Sequence, residues 1–150
     1  MAGVMKHTIN LDHIRQITHS DFVGMAEEIG VFDDVQVKWT HITGNMNNRY
    51  ERISVGPGKG IAGVIYKTGK PWIVENVSSE IPLPERHQYP ILINEKIDSF
   101  IAVPIMKNGM AEGVILIGYR TPDRVSRSLT MTYIKNIQKA CKCELGGVHL

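Results

Sequence analysis

The residues of this 150-residue chain best placed for chemistry are backbone groups set among glycines. Gly58, Gly60 and Gly63 surround Lys59, Ile61 and Ala62. A helix starting at Gly60 leaves its first amides without intrahelical acceptors and carries partial positive charge at that end. Such an end is suited to an anion. The glycines let the backbone approach a ligand closely, and Ile61 and Ala62 keep water out without competing for its donors. Pro90 suits the first position of a second short helix, which would present the Ile91 amide from another side. Hydrogen bonds to a charged group contribute roughly 1.5–3 kcal/mol each, so three or four donors offset part of the cost of desolvating one anion. A planar, diffuse monoanion fits better than phosphate, which normally recruits Arg or Lys as well. The glycines also have a plainer reading, since a turn ahead of a helix needs them for its own geometry.

Other candidates weigh less. Trp39 lies on an alternating segment and reads either as a core residue or as an indole N–H donor. Tyr89, ahead of Pro90, shapes a loop or walls a pocket. Asn45, Asn47, Asn48 and Arg49 read first as a turn. Cys141 and Cys143 stand two apart near the C-terminus, where helical i and i+2 positions diverge, and no second ligand pair accompanies them; no metal site is expected. The six histidines lack paired partners and read as solvated. No nucleophile elbow and no pair of carboxylates suggests a catalytic centre, so no catalytic residue is assigned.

Bulk properties narrow the class. One domain and one core suit this length. Seventeen basic against 15 acidic residues give a net +2 without a basic block, which is no nucleic-acid footprint. No apolar run approaches a membrane span, no signal-peptide pattern opens the chain, and close-set cysteines fit a reducing compartment. A cytoplasmic protein is expected.

The elements that must hold these residues follow from periodicity. Residues 1–7 read as a mobile lead. Asn10 or Asp12 caps a helix with Leu11, Ile14 and Ile17 on one side, expected against the last helix. Asp21–Glu28 reads as a first strand and Val35–Ile42 as a half-buried second. Tyr50–Val55 is a short strand or irregular edge. A helix runs from Gly60 to Gly69, a brief strand covers Pro71–Val74, and Pro82–Glu95 forms a loop with a short helix over Pro90–Asn94. Ser99–Met106 and Gly113–Tyr119 form a hairpin through Lys107-Asn108-Gly109, with Ile101, Val103 and Ile105 on one face and Phe100, Ala102 and Pro104 on the other. Both faces must be covered. Ser126 caps a final helix with a stripe of Tyr133, Ile134, Ile137, Ala140 and Cys141. The fold class is α/β of the α+β type: an antiparallel sheet, terminal helices on one face, short helices and loops on the other.

The order Gly58-x-Gly60-Ile61-Ala62-Gly63, a tryptophan-containing strand, then Phe100–Ile105 and Gly113–Ile117 resembles the GAF family over roughly residues 20–145. The resemblance implies a GAF/PAS-like sheet with a small-molecule pocket under the glycine helix. It divides the chain into a lead and helix over 1–20, the GAF domain over 21–145 and a tail over 146–150. Within the family, Trp39-x4-Gly44-Asn45-x-Asn47-x-Arg49-Tyr50, the glycine motif and Tyr89-Pro90-Ile91 are similar to nitrate-receptor GAF domains. Carried over residue by residue, this implies a nitrate pocket of Trp39, Ile61, Ala62, Tyr89, Pro90 and Ile91, with no cofactor. It also implies a sensor histidine kinase as partner and a possible homodimer through the terminal helices. Two rivals stay open: a GAF domain for another small organic ligand, and a ligand-free dimerisation module. A thiol enzyme of the methionine-sulfoxide-reducing kind is disfavoured, because its cysteines belong in the pocket loops.

Overall fold

The computed structural model describes residues 9–30, 34–141 and 145. The expected lead, Cys143 and the tail over 146–150 lie outside the described residues.

Asn10 accepts a hydrogen bond from the His13 N–H and caps α1, Leu11–Thr18. Leu11 and Ile14 are buried, but Ile17 is 41% exposed, so the buried stripe is shorter than the sequence pattern suggests. The chain then forms β1, Phe22–Ile29, and β2, Gln36–Thr43. A 3-10 turn over Arg49–Arg52 leads into β3, reduced to Ser54–Val55. Next come α2, Gly60–Thr68, and β4, Trp72–Val74.

The segment expected as a loop with one helix holds more. Besides α5, Pro90–Asn94, it is preceded by α3, Val77–Glu80, and contains α4, Leu83–Arg86. Four-residue turns are too short to show a hydrophobic period. Local side-chain bonds hold them: Asn76 caps α3 by accepting from the Ser79 N–H, and Arg86 donates to the carbonyls of Ile81 and Ser78 at 2.8 and 2.9 Å.

Strands β5, Ser99–Lys107, and β6, Met110–Tyr119, make the expected hairpin. Asn108 and Gly109 both take positive φ, 53° and 78°, which matches the twist of the strands. The final helix α6 spans Thr130–Cys141 and follows a 3-10 turn over Arg127–Leu129. Ser126 flanks that turn but makes no capping bond; its hydroxyl pairs with Ser128, and Thr130 instead bonds the Arg127 carbonyl.

All six strands pair antiparallel in the order β3-β2-β1-β6-β5-β4. Each face of the sheet carries its own core. On one, Ile101, Val103 and Ile105 pack with Leu11, Ile14, Ile134 and Ile137 from the terminal helices. On the other, Phe100 and Ala102 pack with Ile61, Ala62 and Ile65 of α2 and Ile91 and Leu92 of α5. Alternation along β5 thus feeds both layers.

Candidate functional site

The glycine motif builds a helix start without a cap. Gly58 and Gly60 take φ of +84° and +65°, a conformation that side chains rarely adopt, and reverse the chain into α2. The Gly58 N–H donates to the Gly63 carbonyl at 2.8 Å and the Lys59 N–H to the Gly56 carbonyl at 3.1 Å, clamping the turn onto the first helical turn. Lys59 stands at the cap position and offers no side-chain acceptor, and the first turn contains no acidic residue. Gly60, Ile61, Ala62 and Gly63 are all buried. A buried helix start normally finds acceptors for its free amides in capping side chains, water or a ligand. Among the described residues, no backbone acceptor outside the helix takes the amides of Gly60, Ile61 or Ala62.

A second helix start faces the first. Tyr89 precedes α5, Pro90 occupies its first position, and again no side chain caps it and no acid lies in its first turn. Gly58, Lys59 and Gly60 from one side and Gln88, Tyr89 and Pro90 from the other line a cleft of about 380 Å³, closed by Val55 and Val64. Its ionisable side chains are the exposed Lys59 and His87, with no carboxylate in the wall. A larger cleft of about 440 Å³ lies between α3, α4 and the far side of α5, but no helix of two turns begins in it.

The six residues singled out from the sequence separate into two groups. Tyr89 and Pro90 line the open cleft. Trp39, Ile61, Ala62 and Ile91 lie behind it in a single packed layer, each at most 2% exposed, with Tyr89 against its edge. Trp39 reaches this layer from β2; Gly24 leaves room for its ring, since a Cβ there would meet it at 3.2 Å. The turn formers behave as a turn: Asn45 bonds the Asn47 carbonyl, and Asn47 accepts from the Arg49 N–H.

Three features escaped the sequence reading. Trp72 on β4 meets Tyr89 edge to face at 5.5 Å and Phe100 at 5.4 Å, so an aromatic row runs from the core to the mouth of the cleft. A further cleft of about 370 Å³ lies beside this row and shares Tyr89 and Val64 with the first. At the other end of α5, Glu95 is fully buried and its Oε1 takes the Arg120 guanidinium at 2.8 Å and the Met46 N–H at 2.7 Å. Arg120 also donates to the carbonyls of Gly44 and Glu95, and Asn47 donates to that of Asn94. The loop after β2 and the C-terminal end of α5 are therefore tied together. A lone glutamate 25 residues from a lone arginine gave no pattern in the sequence.

One group near α2 has an altered proton affinity. The Tyr66 hydroxyl donates to the Glu28 carboxylate, and that bond, then burial, then the nearby negative charge push it up to about 12.

Comparison with known proteins places the chain. The GAF domain profile matches residues 8–131. A mutated NreA protein of Staphylococcus aureus, altered in its nitrate binding site, is 34% identical over 78% of this chain and 86% of that one, with a TM-score of 0.73. A second mutated NreA protein from the same organism is 33% identical over 75% and 85%, with a TM-score of 0.71. A free methionine-R-sulfoxide reductase of Neisseria meningitidis, 15% identical over 92% and 75% with a TM-score of 0.67, shares the fold. No curated protein sequence matches.

Proposed function

Since this chain belongs to the GAF domain family, we propose that it is a sensory protein which takes up nitrate at the buried start of α2 and passes its occupancy to a partner sensor histidine kinase. The observation that carries this reading is the uncapped first turn of α2, buried and facing a second uncapped helix start across one cleft. The amides of Gly60, Ile61 and Ala62 supply donors from one side and that of Ile91 from the other. The Trp39 indole supplies a further N–H, and Tyr89 and Pro90 cover the ligand. Nitrate suits such a site because its single charge is spread over three coplanar oxygens, which backbone amides satisfy without a bound Arg or Lys. The 34% identity to NreA, an S. aureus protein described with a nitrate binding site, supports the choice of ligand.

Binding without turnover fits the wall of the cleft, which contains no cysteine; both cysteines lie at 141 and 143. A sensor histidine kinase is the partner that the resemblance implies. Among the described residues no helix is long and apolar enough to cross a membrane.

Isothermal titration of anion-free protein with nitrate tests the ligand, with nitrite, chloride and sulfate at matched ionic strength as comparisons. Saturable heat with nitrate alone is expected. No heat with any of the four removes the anion reading and turns the cleft over to an organic ligand or to no ligand.

A further inference from the structure

Four exposed cations surround the short helix α5. Arg49 and Arg52 line a cleft of about 350 Å³ together with Pro90 and Asn94. Lys59 lines the anion cleft beside Tyr89 and Pro90, and Lys96 lines the 440 Å³ cleft beside Leu92 and Ile93. Asp98 is the one carboxylate in these three linings, and it already accepts from the Ser78 hydroxyl at 3.1 Å. The ion pairs among the described residues use Arg15, His41, Arg120 and Arg127, and none of the four cations. Exposed Glu51 and Glu85 lie close by in sequence but outside the three linings, so the excess belongs to the cleft walls.

Two apolar side chains stand open beside Lys96, in a lining that Arg86 and His87 also share. Leu83 is 69% exposed and Ile93 47%, and both line the 440 Å³ cleft. A cationic rim alone steers small anions toward a site. A cationic rim around exposed apolar anchors has the anatomy of a protein interface, where an apolar centre carries the affinity and charges on the rim set partner choice and encounter rate. A nucleic acid backbone would use the cations but gain little from covering Leu83 and Ile93.

We propose that the face around α5 docks an acidic surface of the partner protein, with Ile93 and Leu83 at its centre. This rests on the sensory reading above, because α5 belongs to both places. Tyr89 and Pro90 face the anion cleft, whereas Leu92 and Ile93 face the docking surface. The Ile91 amide and the Ile93 side chain belong to the same five-residue helix, so the anion site and the docking surface share one element.

The test measures binding of the purified full chain to the cognate sensor histidine kinase by biolayer interferometry at low and raised salt. Ile93→Asp combined with Lys96→Glu is expected to weaken kinase binding about tenfold or more, with nitrate affinity unchanged. Lys135→Glu, exposed on α6 across the sheet, is expected to bind as the unaltered chain does. Raised salt is expected to weaken the complex. If the double variant does not fold, Leu83→Asp takes its place. Kinase binding that survives the substitutions, or that ignores salt, overturns the docking face. A chain that binds nitrate but no kinase removes the docking face and the kinase together and leaves the ligand reading intact. Salt-dependent kinase binding lost with Ile93, in a chain indifferent to nitrate, keeps the docking face and removes the nitrate site.

Discussion

Gly63 lies so close to Gly56 that a Cβ on it would stand 2.3 Å from the Gly56 carbonyl oxygen. No side chain of any kind fits there unless the turn moves. The contact presses the turn over 56–60 onto the first turn of α2, which keeps Gly58, Lys59 and Gly60 in the wall of the cleft. Gly63→Ala is therefore expected to destabilise the protein by about 1–3 kcal/mol, as overpacking does. It is also expected to abolish nitrate binding even where the variant remains folded. Thermal unfolding and titration, run on the same sample, check both halves; a folded variant with full affinity would separate the glycine contact from the site.

Trp39 offers a narrower test. Phenylalanine keeps most of the buried ring and removes the N–H. Trp39→Phe is expected to lower nitrate affinity about tenfold, the equivalent of losing one charge-assisted hydrogen bond of roughly 1.5 kcal/mol. A change in melting temperature without a change in affinity assigns Trp39 to the core alone.

Tyr89 meets Trp72 edge to face, and Trp72 in turn meets Phe100 in the core. Edge-to-face pairs contribute about 0.5–1.5 kcal/mol each beyond their burial. Trp72→Phe should preserve the arrangement and bind nitrate nearly as well as the unaltered chain. Trp72→Ala should weaken binding and speed dissociation, which stopped-flow fluorescence from Trp39 would follow. Equal affinities in the two variants would show that the row does not hold the mouth of the cleft.

The Glu95–Arg120 pair sets the far end of α5. Removing its cation leaves a fully buried carboxylate unpaired, which costs about 3–5 kcal/mol. Arg120→Met is expected to lose stability on that scale in urea unfolding, and Glu95→Gln to lose less. Losses under 1 kcal/mol in Arg120→Met would mean that the pair is not a structural tie.

Tyr66 gives a pH signature. Its proton is held up to about 12 in the folded chain against 10.0 ordinarily, first through the bond to Glu28. Between these values the folded state binds more protons than the unfolded one, so this contribution to stability is complete below pH 10.0 and is lost as the pH rises toward 12. Spectrophotometric titration should find a late-ionising tyrosine in the unaltered chain. In Glu28→Gln that tyrosine should ionise earlier, and an unchanged curve would dissociate it from Glu28.

What the sequence made legible follows from how local each signal is. Asn108-Gly109 dictates its turn within two residues, and the alternation from Phe100 to Ile105 assigns both faces of β5 without reference to anything distant. Gly60 and Gly69 likewise bracket α2 by backbone conformation alone, and Pro90 marks the start of α5. The turns at Val77–Glu80 and Leu83–Arg86 were not legible, because four residues are too few to show a hydrophobic period. Nor were Trp72 beside Tyr89 and Glu95 beside Arg120, which meet only after the sheet has assembled. For the candidate site, sequence gave the helix starts and the fold brought them to one cleft.

The alternation in the β5–β6 hairpin also bears on how such a chain changes over time. Phe100 and Ala102 touch the layer under the cleft, while Ile101 and Val103, next to them in sequence, hold the terminal helices. Substitutions that reshape the cleft can accumulate at even-numbered positions of β5 without disturbing the odd-numbered ones. A lineage can exchange one ligand for another by altering residues of a single parity, and keep the helices and their attachments as they were.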